Sequence, residues 1–258
     1  MTTQAPSARA RTHGPERPYL DDLAELYDEF IGAMDHPESP TRTWLLDNLP
    51  RGGRVIDIGC GNGRNCRLVA DSFTEVLGID VSPRVLDLAR SKDNPANIRY
   101  ELHDIHLLTP DDVGTFDAVF STNGVFSMGD ISAVLPRLQA LVAPDGRLVV
   151  LDITRPDEPP DADRDAASSQ QSFYPFEVAH TIYQVSGDVE RTVAAIRYML
   201  HPRWIEMNQT HVPLTVAEFR AAYTAQLPGV VVTPDVVPGL SGAVWRATAD
   251  AAAAGGAQ

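Results

Sequence analysis

The chain has 258 residues, 43% of them hydrophobic and 22% charged, and is long enough to bury a large core without disulfides or metals. Its formal net charge of −14 repels polyphosphate, which argues against a nucleic-acid partner. The sequence has no apolar run of bilayer-spanning length, so we expect no membrane association. Its length and composition predict one globular domain, alone or with an insertion.

The two cysteines, Cys60 and Cys66, lie close together in the sequence with no histidine near them. Two sulfurs are too few for a zinc site and form no disulfide framework, so we expect packing residues, no bound metal and a reducing cytoplasm. Residues 1–17 are polar and lack the apolar centre of a signal peptide. We expect a disordered arm there and a flexible tail at residues 249–258.

The first predicted element is an amphipathic helix over residues 19–34. A second helix is predicted over residues 40–48, before the turn at residues 50–53. The apolar stripe of the first helix consists of Leu23, Leu26, Tyr27, Phe30 and Ile31.

A regular alternation of strands and helices follows. Short apolar runs predict the strands, and Ser82 followed by Pro83 marks one helix start. Strands are expected at residues 54–58, 76–79, 98–102, 116–121 and 147–153, helices at 61–72, 82–92 and 130–142, and a turn-rich stretch at 109–114. Because such alternation produces parallel strands covered on both faces, the predicted fold class is α/β with a doubly wound, mostly parallel sheet.

The alternation stops at Thr154 and an insertion follows. Residues 155–170 are acidic and Pro-rich, which predicts mobility. Residues 173–204 are richer in aromatics and are expected to be partly helical. We therefore predict a partly helical cap, residues 155–213, inserted after the fifth strand.

The last predicted elements return the chain to the sheet. A capping box at residues 215–218 starts a helix that runs to about Gln226. Two β-rich segments, residues 230–237 and 243–248, are close enough to form a terminal β-hairpin. The hairpin brings the predicted sheet to seven strands.

The stretch VIDIGCGNGRN, residues 55–65, places a glycine-rich loop after the first strand. Gly59, Gly61 and Gly63 let the backbone approach a ligand closely, because no Cβ intrudes, and the next helix turns its free N–H groups to the same space. Asp80 ends the second strand, where its carboxylate can accept hydrogen bonds from two ribose hydroxyls. The loop and the acid together predict a ligand that contains a nucleoside.

The spacing of the glycines argues against a dinucleotide. A dinucleotide loop follows G-x-G-x-x-G, but the last glycine position here holds Arg64 or Cys66, depending on which glycine is counted first. Asp57, two positions before Gly59, would repel a pyrophosphate and suits a cationic or amine-bearing ligand.

The loop and four later segments together resemble the class I S-adenosylmethionine-dependent methyltransferases of the small-molecule type. These segments are Gly78-Ile79-Asp80, Leu102-His103-Asp104-Ile105, residues 116–121 (FDAVFS) and residues 141–153 (LVAPDGRLVVLDI). The resemblance covers residues 40–153 and the terminal hairpin. It implies lid helices at residues 18–50, a cofactor-binding core at 51–154, a cap over the acceptor pocket at 155–213, and a last helix and hairpin that complete the core at 214–248.

The resemblance also implies S-adenosylmethionine as the cofactor, S-adenosylhomocysteine as its product, and a role for each matching residue. Asp57 would orient the loop and the cofactor's amino group, and Tyr27 resembles a lid tyrosine. The backbone of Gly59, Cys60, Gly61 and Gly63 would border the methionine part of the cofactor, and the Ser121 carbonyl would lie near the sulfonium. Asp80 would hold the ribose. Val81 would pack on adenine, and Asp104 beside Ile105 would accept a hydrogen bond from the adenine amino group.

Four of these residues have a simpler alternative role. Asp57 can cap a turn, and Asp80 can lead into the helix that starts at Ser82. Asp104 can be a surface acid, and Tyr27 can be a core residue of its amphipathic helix.

Methyl transfer is an in-line displacement in which the protein mainly aligns the acceptor and excludes water, so few catalytic side chains are obligatory. The catalytic base is unknown, and His180 and Tyr174 in the cap are the candidates that we single out. Other candidates are His103, His106, His201, His211 and Tyr183, and Arg191, Arg197 and Arg203 can meet an anionic acceptor or be surface residues. The cap aromatics, Phe173, Tyr174, Phe176, Tyr183, Tyr198 and Trp204, predict an acceptor pocket or a small core.

The leading functional hypothesis is methyl transfer to O, N or C of a small organic acceptor, such as a natural product. Residues 121–124 (STNG) lack the Asn/Asp-Pro-Pro-aromatic run typical of enzymes that methylate adenine amino groups. Alternatives are a peptide or protein methyltransferase, a protein that binds the cofactor without transferring methyl, and a nicotinamide oxidoreductase, which the glycine spacing disfavours. We expect a monomer or a homodimer.

Overall fold

The computed structural model describes residues 18–157, 175–176, 178–184 and 186–248. The predicted terminal arms, residues 1–17 and 249–258, lie outside the described residues. So do Phe173, Tyr174 and residues 158–170 of the segment predicted to be mobile. No helix of the described chain is both long and apolar enough to cross a membrane.

A seven-stranded sheet forms the centre of the fold. Its strands are β1 (Arg54–Ile58), β2 (Glu75–Asp80), β3 (Ile98–Leu102), β4 (Phe116–Thr122), β5 (Val142–Ile153), β6 (Val231–Val237) and β7 (Leu240–Arg246). The spatial order is β3-β2-β1-β4-β5-β7-β6, with β7 antiparallel to both of its neighbours and the other pairs parallel. The predicted fold, a mostly parallel sheet completed by a terminal β-hairpin, is confirmed.

Helices cover both faces of the sheet and build the cap. They are α1 (Ala24–Met34), α2 (Pro40–Asn48), α3 (Arg64–Val69), α4 (Pro83–Ser91), α5 (Pro110–Val113), α6 (Ile131–Ala140), α7 (Val189–Met199), α8 (Pro202–Thr210) and α9 (Val216–Gln226). Residues 175–176, 178–184 and 186 are also helical. The chain between β5 and α9 is therefore the partly helical insertion that the sequence predicts.

Three of the predicted elements differ from the structure. The helix predicted at residues 61–72 begins only at Arg64, because three glycines before it have positive φ, and it ends in a 3-10 turn at Ala70–Ser72. The helix predicted at 19–34 is broken into a 3-10 turn, Tyr19–Asp21, and α1. The stretch at 109–114 contains α5, which Thr109 and Asp112 cap reciprocally.

The ends of β5 and β7 also differ from the prediction. β5 starts at Val142 rather than at residue 147, with Asp145 at φ 63, because Phe116 of β4 pairs with Val142 before a register shift. β7 starts at Leu240 rather than at residue 243, so the hairpin turn is only two residues long.

Both faces of the sheet carry apolar cores. Ile56 and Val119 pack in the layer that includes residues of α6 and α9, whereas Val55 and Phe120 pack in the layer with residues of α2 and α3. Successive strand residues alternate between these layers, as the pleat requires. Because β1 to β5 pair in parallel, their carboxyl ends lie at one edge of the sheet, where ligands of such folds bind. Asp80 and Thr122, the last residues of β2 and β4, are among the polar residues at this edge.

Candidate cofactor-binding site

The glycine loop is a turn of bare backbone at the carboxyl end of β1. The Gly59 and Cys60 N–H groups donate to the Ile79 carbonyl at 2.8 and 2.9 Å, which ties the loop to β2. Gly59, Gly61 and Gly63 have φ of 73°, 53° and 74°, a conformation that side-chain-bearing residues rarely adopt. A methyl group on Gly61 would overlap the hydroxyl of Tyr27 and lie 3.0 Å from its Cζ. The loop is thus a cradle with Tyr27 directly against it.

Asp80 joins the loop to the start of α4. Its Oδ2 accepts from the Gly61 N–H at 3.0 Å and its Oδ1 from the Ser82 N–H at 2.9 Å. Burial raises the pKa of Asp80 above its usual value, and these N–H groups act in the opposite direction. Because a carboxylate has about four acceptor sites, two remain for ribose hydroxyls. Leading into α4 and holding a ribose are therefore compatible roles for this side chain.

Asp57 is buried beneath the loop and is only half satisfied. Its Oδ2 accepts from the Cys66 thiol at 3.4 Å, and its Oδ1 has no hydrogen-bond partner within the described chain. Burial raises the pKa of Asp57 to about 7, which the thiol hydrogen bond partly offsets. A buried acceptor without a donor is costly unless a ligand supplies one, so this site fits an amine-bearing ligand.

The two cysteines are free and buried, as expected of packing residues. A Cβ on Gly78 would lie 2.8 Å from the Cys66 sulfur and 3.0 Å from the Cys60 sulfur. The sulfurs therefore fill the space beside Gly78, under the loop. No group of three or more potential metal ligands occurs among the described residues.

The predicted adenine contacts lie at the ends of β2 and β3. Val81 is 49% exposed, whereas Ile105 is buried. Asp104 is half-buried, and its Oδ1 accepts from the His106 N–H at 2.8 Å. Its carbonyl accepts from the N–H groups of Leu107 and Leu108. Asp104 thus shapes the turn after β3, and the exposed Val81 follows β2, the neighbouring strand.

Ser121 and the residues after it close the other side of the loop. The buried Ser121 hydroxyl donates to the Ile58 carbonyl at 2.8 Å. In the turn that follows, Asn123 has a φ of 55° and the Met128 carbonyl accepts from His106 Nε2 at 2.6 Å. The sequence did not single out Met128, which reaches the loop at Gly59.

Acids of the N-terminal segment hold it against the cofactor side. Asp28 accepts from Asn62 Nδ2 at 2.8 Å and pairs with Lys92 at 2.6 Å. Asp21 accepts from the Ser82 hydroxyl, and Glu25 pairs with Arg84. The helical spacing of acids at 21, 25 and 28 was a sequence signal for this contact, but the sequence alone did not reveal its partner.

The opposite side of α1 packs on the cap. Tyr198 of α7 is buried, with its ring 4.7 Å from that of Phe30, 4.7 Å from that of Trp204 and 6.0 Å from that of Tyr27. These aromatics form a small core, which favours that alternative over an open pocket. Tyr27 belongs to this core and also touches the glycine loop, so it is a core residue, and its role as a lid over the cofactor stays a prediction.

The structure brings few of the predicted bases and arginines to this site. His180 is exposed, and Tyr174 lies outside the described residues. His103 pairs with Glu101, His201 caps α8, and His211 bonds the Met207 carbonyl. The three cap arginines pair with acids, Arg191 with Asp188, Arg197 with Glu29, and Arg203 with Asp22 and Glu206. Among the described histidines, His106 is the one that contacts the turn after β4.

Comparisons with known proteins agree with this geometry. Residues 55–146 match the family described as a methyltransferase domain. Over 148 residues the chain is 32% identical to a dTDP-3-amino-3,6-dideoxy-alpha-D-glucopyranose N,N-dimethyltransferase of Streptomyces fradiae, covering 54% of this chain and 56% of the relative. It is 29% identical to a ubiquinone biosynthesis O-methyltransferase of Xanthomonas axonopodis pv. citri, covering 53% and 61%. The matches span little more than half the length of these relatives.

A solved structure supports the fold. The complex of DhpI with SAH superposes with a TM-score of 0.61 at 20% identity, covering 90% of this chain and 94% of that one. With the family match, the sheet order and the glycine loop, this likeness is decisive for the fold. Residues 55–146 thus match a methyltransferase domain, and the chain shares its fold with the SAH complex of DhpI.

Proposed function

We propose that this chain transfers the methyl group of S-adenosylmethionine to O, N or C of a small organic acceptor by in-line displacement. The observation that carries the proposal is the contact between Asp80 and Gly61. This contact holds a buried carboxylate beside a loop with positive φ, which supports a ribose-binding role for Asp80.

The residues of the site fit the cofactor chemically. Asp57 offers an acceptor that lacks a donor, and Asp80 retains acceptor sites for two hydroxyls. Val81 presents an open apolar surface beside the turn that Asp104 shapes. When bound, S-adenosylmethionine supplies a methyl group already activated by the sulfonium charge. The protein therefore needs to orient the acceptor and exclude water, and Tyr27 on α1 lies where it would cover the loop.

A small acceptor is supported by the cap and by the relatives. Tyr198 and Trp204 of the cap pack against α1, whose Tyr27 touches the glycine loop, and this supports an acceptor pocket enclosed by helices. The two named relatives act on a nucleotide sugar and in ubiquinone biosynthesis. We propose a biosynthetic role in a reducing cytoplasm, where two free buried thiols are stable.

Isothermal calorimetry with S-adenosylmethionine, S-adenosylhomocysteine and NADH, run side by side, tests the cofactor class. We expect micromolar binding of the first two and none of the third. Binding of NADH alone would overturn the proposal. A screen of small acceptors and of peptides with labelled cofactor then tests transfer. Labelling of peptides only would point to a protein substrate, and tight binding without any acceptor would point to a binding protein.

A further inference from the structure

The turn after β4, residues 123–128, is held from two sides. The Phe126 N–H donates to Asp152 Oδ2 at 2.6 Å, and the Met128 carbonyl accepts from His106 Nε2 at 2.6 Å. Between these contacts the backbone makes a 3-10 turn, Val125–Ser127, closed by the bond from the Met128 N–H to the Val125 carbonyl. These bonds tie the turn together, and Asp152 holds its middle residue, Phe126.

The same turn carries a side chain into the glycine loop. The Met128 methyl carbon lies 3.1 Å from the position of a Cβ on Gly59 and 3.2 Å from that on Gly124. Gly59 is the first loop residue, where the backbone leaves β1 with positive φ. Any displacement of the turn therefore changes the packing against the loop.

Asp152 is an unusual residue for its position. It interrupts the apolar run of β5, is 3% exposed, and has no lysine, arginine or histidine within ion-pair distance in the described part of the chain. The titratable residue of α9 that faces Asp152 is Tyr223, whose buried hydroxyl has no hydrogen-bond partner among the described residues. From β7 the register partner is Ser241, whose hydroxyl is bonded to Thr154.

Burial without a cation makes this carboxyl titrate in an uncommon range. Burial raises the pKa of Asp152 to about 7, although the Ile153 and Phe126 N–H groups favour the charged form. An ionised acceptor holds an N–H more strongly than a neutral one does. The hydrogen bond from the Phe126 N–H to Asp152 is therefore strongest above neutral pH and weakens below it.

We propose that Asp152 is a positioning residue for cofactor binding, whose ionised carboxylate holds residues 123–128 against the glycine loop and whose protonation releases them. The inference rests on the proposed function, because it takes S-adenosylmethionine and its product as ligands. Asp152 acts through Phe126 and Met128 and does not itself contact the ligand.

The test is calorimetry of S-adenosylhomocysteine with the wild-type chain and Asp152→Asn between pH 5.5 and 8. The asparagine mimics the protonated carboxyl at every pH. We expect the ratio of the two dissociation constants to be about tenfold at pH 8, where a charge-assisted bond is lost, and to approach one at pH 5.5. Asp57, whose pKa is raised to about 7, is present in both proteins, so the effect of its titration cancels in the ratio. Asp130→Asn is the matched control, since this exposed acid caps α6 just beyond the same turn, and its ratio should stay near one.

A ratio that is constant with pH would overturn the inference, because it would show a structural defect rather than the loss of a titrating contact. A wild-type chain that binds no S-adenosylhomocysteine at any pH would instead refute the proposed function. If Asp152→Asn does not fold, backbone amide spectra of Asp57→Asn decide, because that variant keeps Asp152 and removes the other acid whose pKa is raised to about 7. The amide signals of Phe126 and Gly59 should then shift together with a midpoint near pH 7, and static signals would overturn the inference.

Discussion

Replacing Asp80 by alanine tests the centre of the site. The carboxylate has two acceptor positions left after its bonds to Gly61 and Ser82, and we assign both to ribose hydroxyls. A hydrogen bond to a charged group contributes about 1.5–3 kcal/mol, and part of this is recovered as the hydroxyls regain water. We therefore expect Asp80→Ala to weaken binding of S-adenosylhomocysteine by about 2 kcal/mol or more, roughly 30-fold in the dissociation constant.

The same substitution also removes the acceptor for two backbone N–H groups. Each buried donor left unpaired costs about 1–3 kcal/mol, while the loss of a buried charge with a raised pKa offsets some of this cost. Thermal unfolding of each variant therefore has to accompany the calorimetry. Asp80→Asn keeps one acceptor oxygen without the charge, so it should be more stable than the alanine variant and still bind weakly.

A matched control separates the loss of the Asp80 carboxylate from the loss of one negative charge elsewhere on the protein. Asp87 lies on the exposed side of α4 and pairs with Arg90 at 3.1 Å, so Asp87→Ala should leave ligand binding unchanged. If folded Asp80→Ala binds S-adenosylhomocysteine as tightly as the wild type does, the ribose is held elsewhere and our reading of the loop is wrong.

Three further predictions concern the surroundings of the site. Gly61→Ala should reduce S-adenosylhomocysteine affinity at least tenfold, because a methyl group there meets Tyr27 and the φ of 53° is unfavourable for alanine; unchanged calorimetry would contradict the cradle. Tyr223→Phe should raise the free energy of unfolding by about 1 kcal/mol, because it removes a buried hydroxyl with no partner within the described chain; destabilisation in urea would show that the hydroxyl is bonded. The raised pKa of Asp57, about 7, predicts a contribution to stability that is fully present below the unfolded value near 3.8 and is lost as pH rises through 7. Urea unfolding from pH 5 to 8 should show this loss in the wild type and a smaller loss in Asp57→Asn, and identical profiles would refute it.

The fold was predictable where local pattern and tertiary structure agree. Strand β3 and helix α2 have the predicted bounds, because their limits depend on short-range apolar patterning and on Pro40 at the helix start. The start of α3 was not predictable in this way, since residues 61–63 had to leave helical geometry to form the loop. The break before α1 has a tertiary contact beside it, the bond between Asp21 and Ser82.

The residues of the candidate site also differ in whether the sequence alone could predict them. Asp57 and Asp80 were predicted because they lie at the carboxyl ends of β1 and β2, and Asp57 precedes the first glycine by two positions. Asp152 and Met128 were missed, since their contacts join residues that are distant in the sequence and depend on the order in which β4 and β5 pair. The sequence contains one signal for Asp152, an acid directly after the apolar run at residues 148–151, because carboxylates are rarely buried without a partner.

The position of α1 connects the two halves of the proposed reaction. This helix bonds to Asn62 of the glycine loop through Asp28 and packs on Tyr198 of the cap through Phe30, and Tyr27 contacts both the loop and Tyr198. A helix packed on both sides cannot adjust to one neighbour without shifting against the other. We therefore expect an acceptor that binds the cap to act on the glycine loop through α1, and a bound cofactor to act on the cap through the same contacts. By linkage, each ligand must then change the affinity for the other by the same factor.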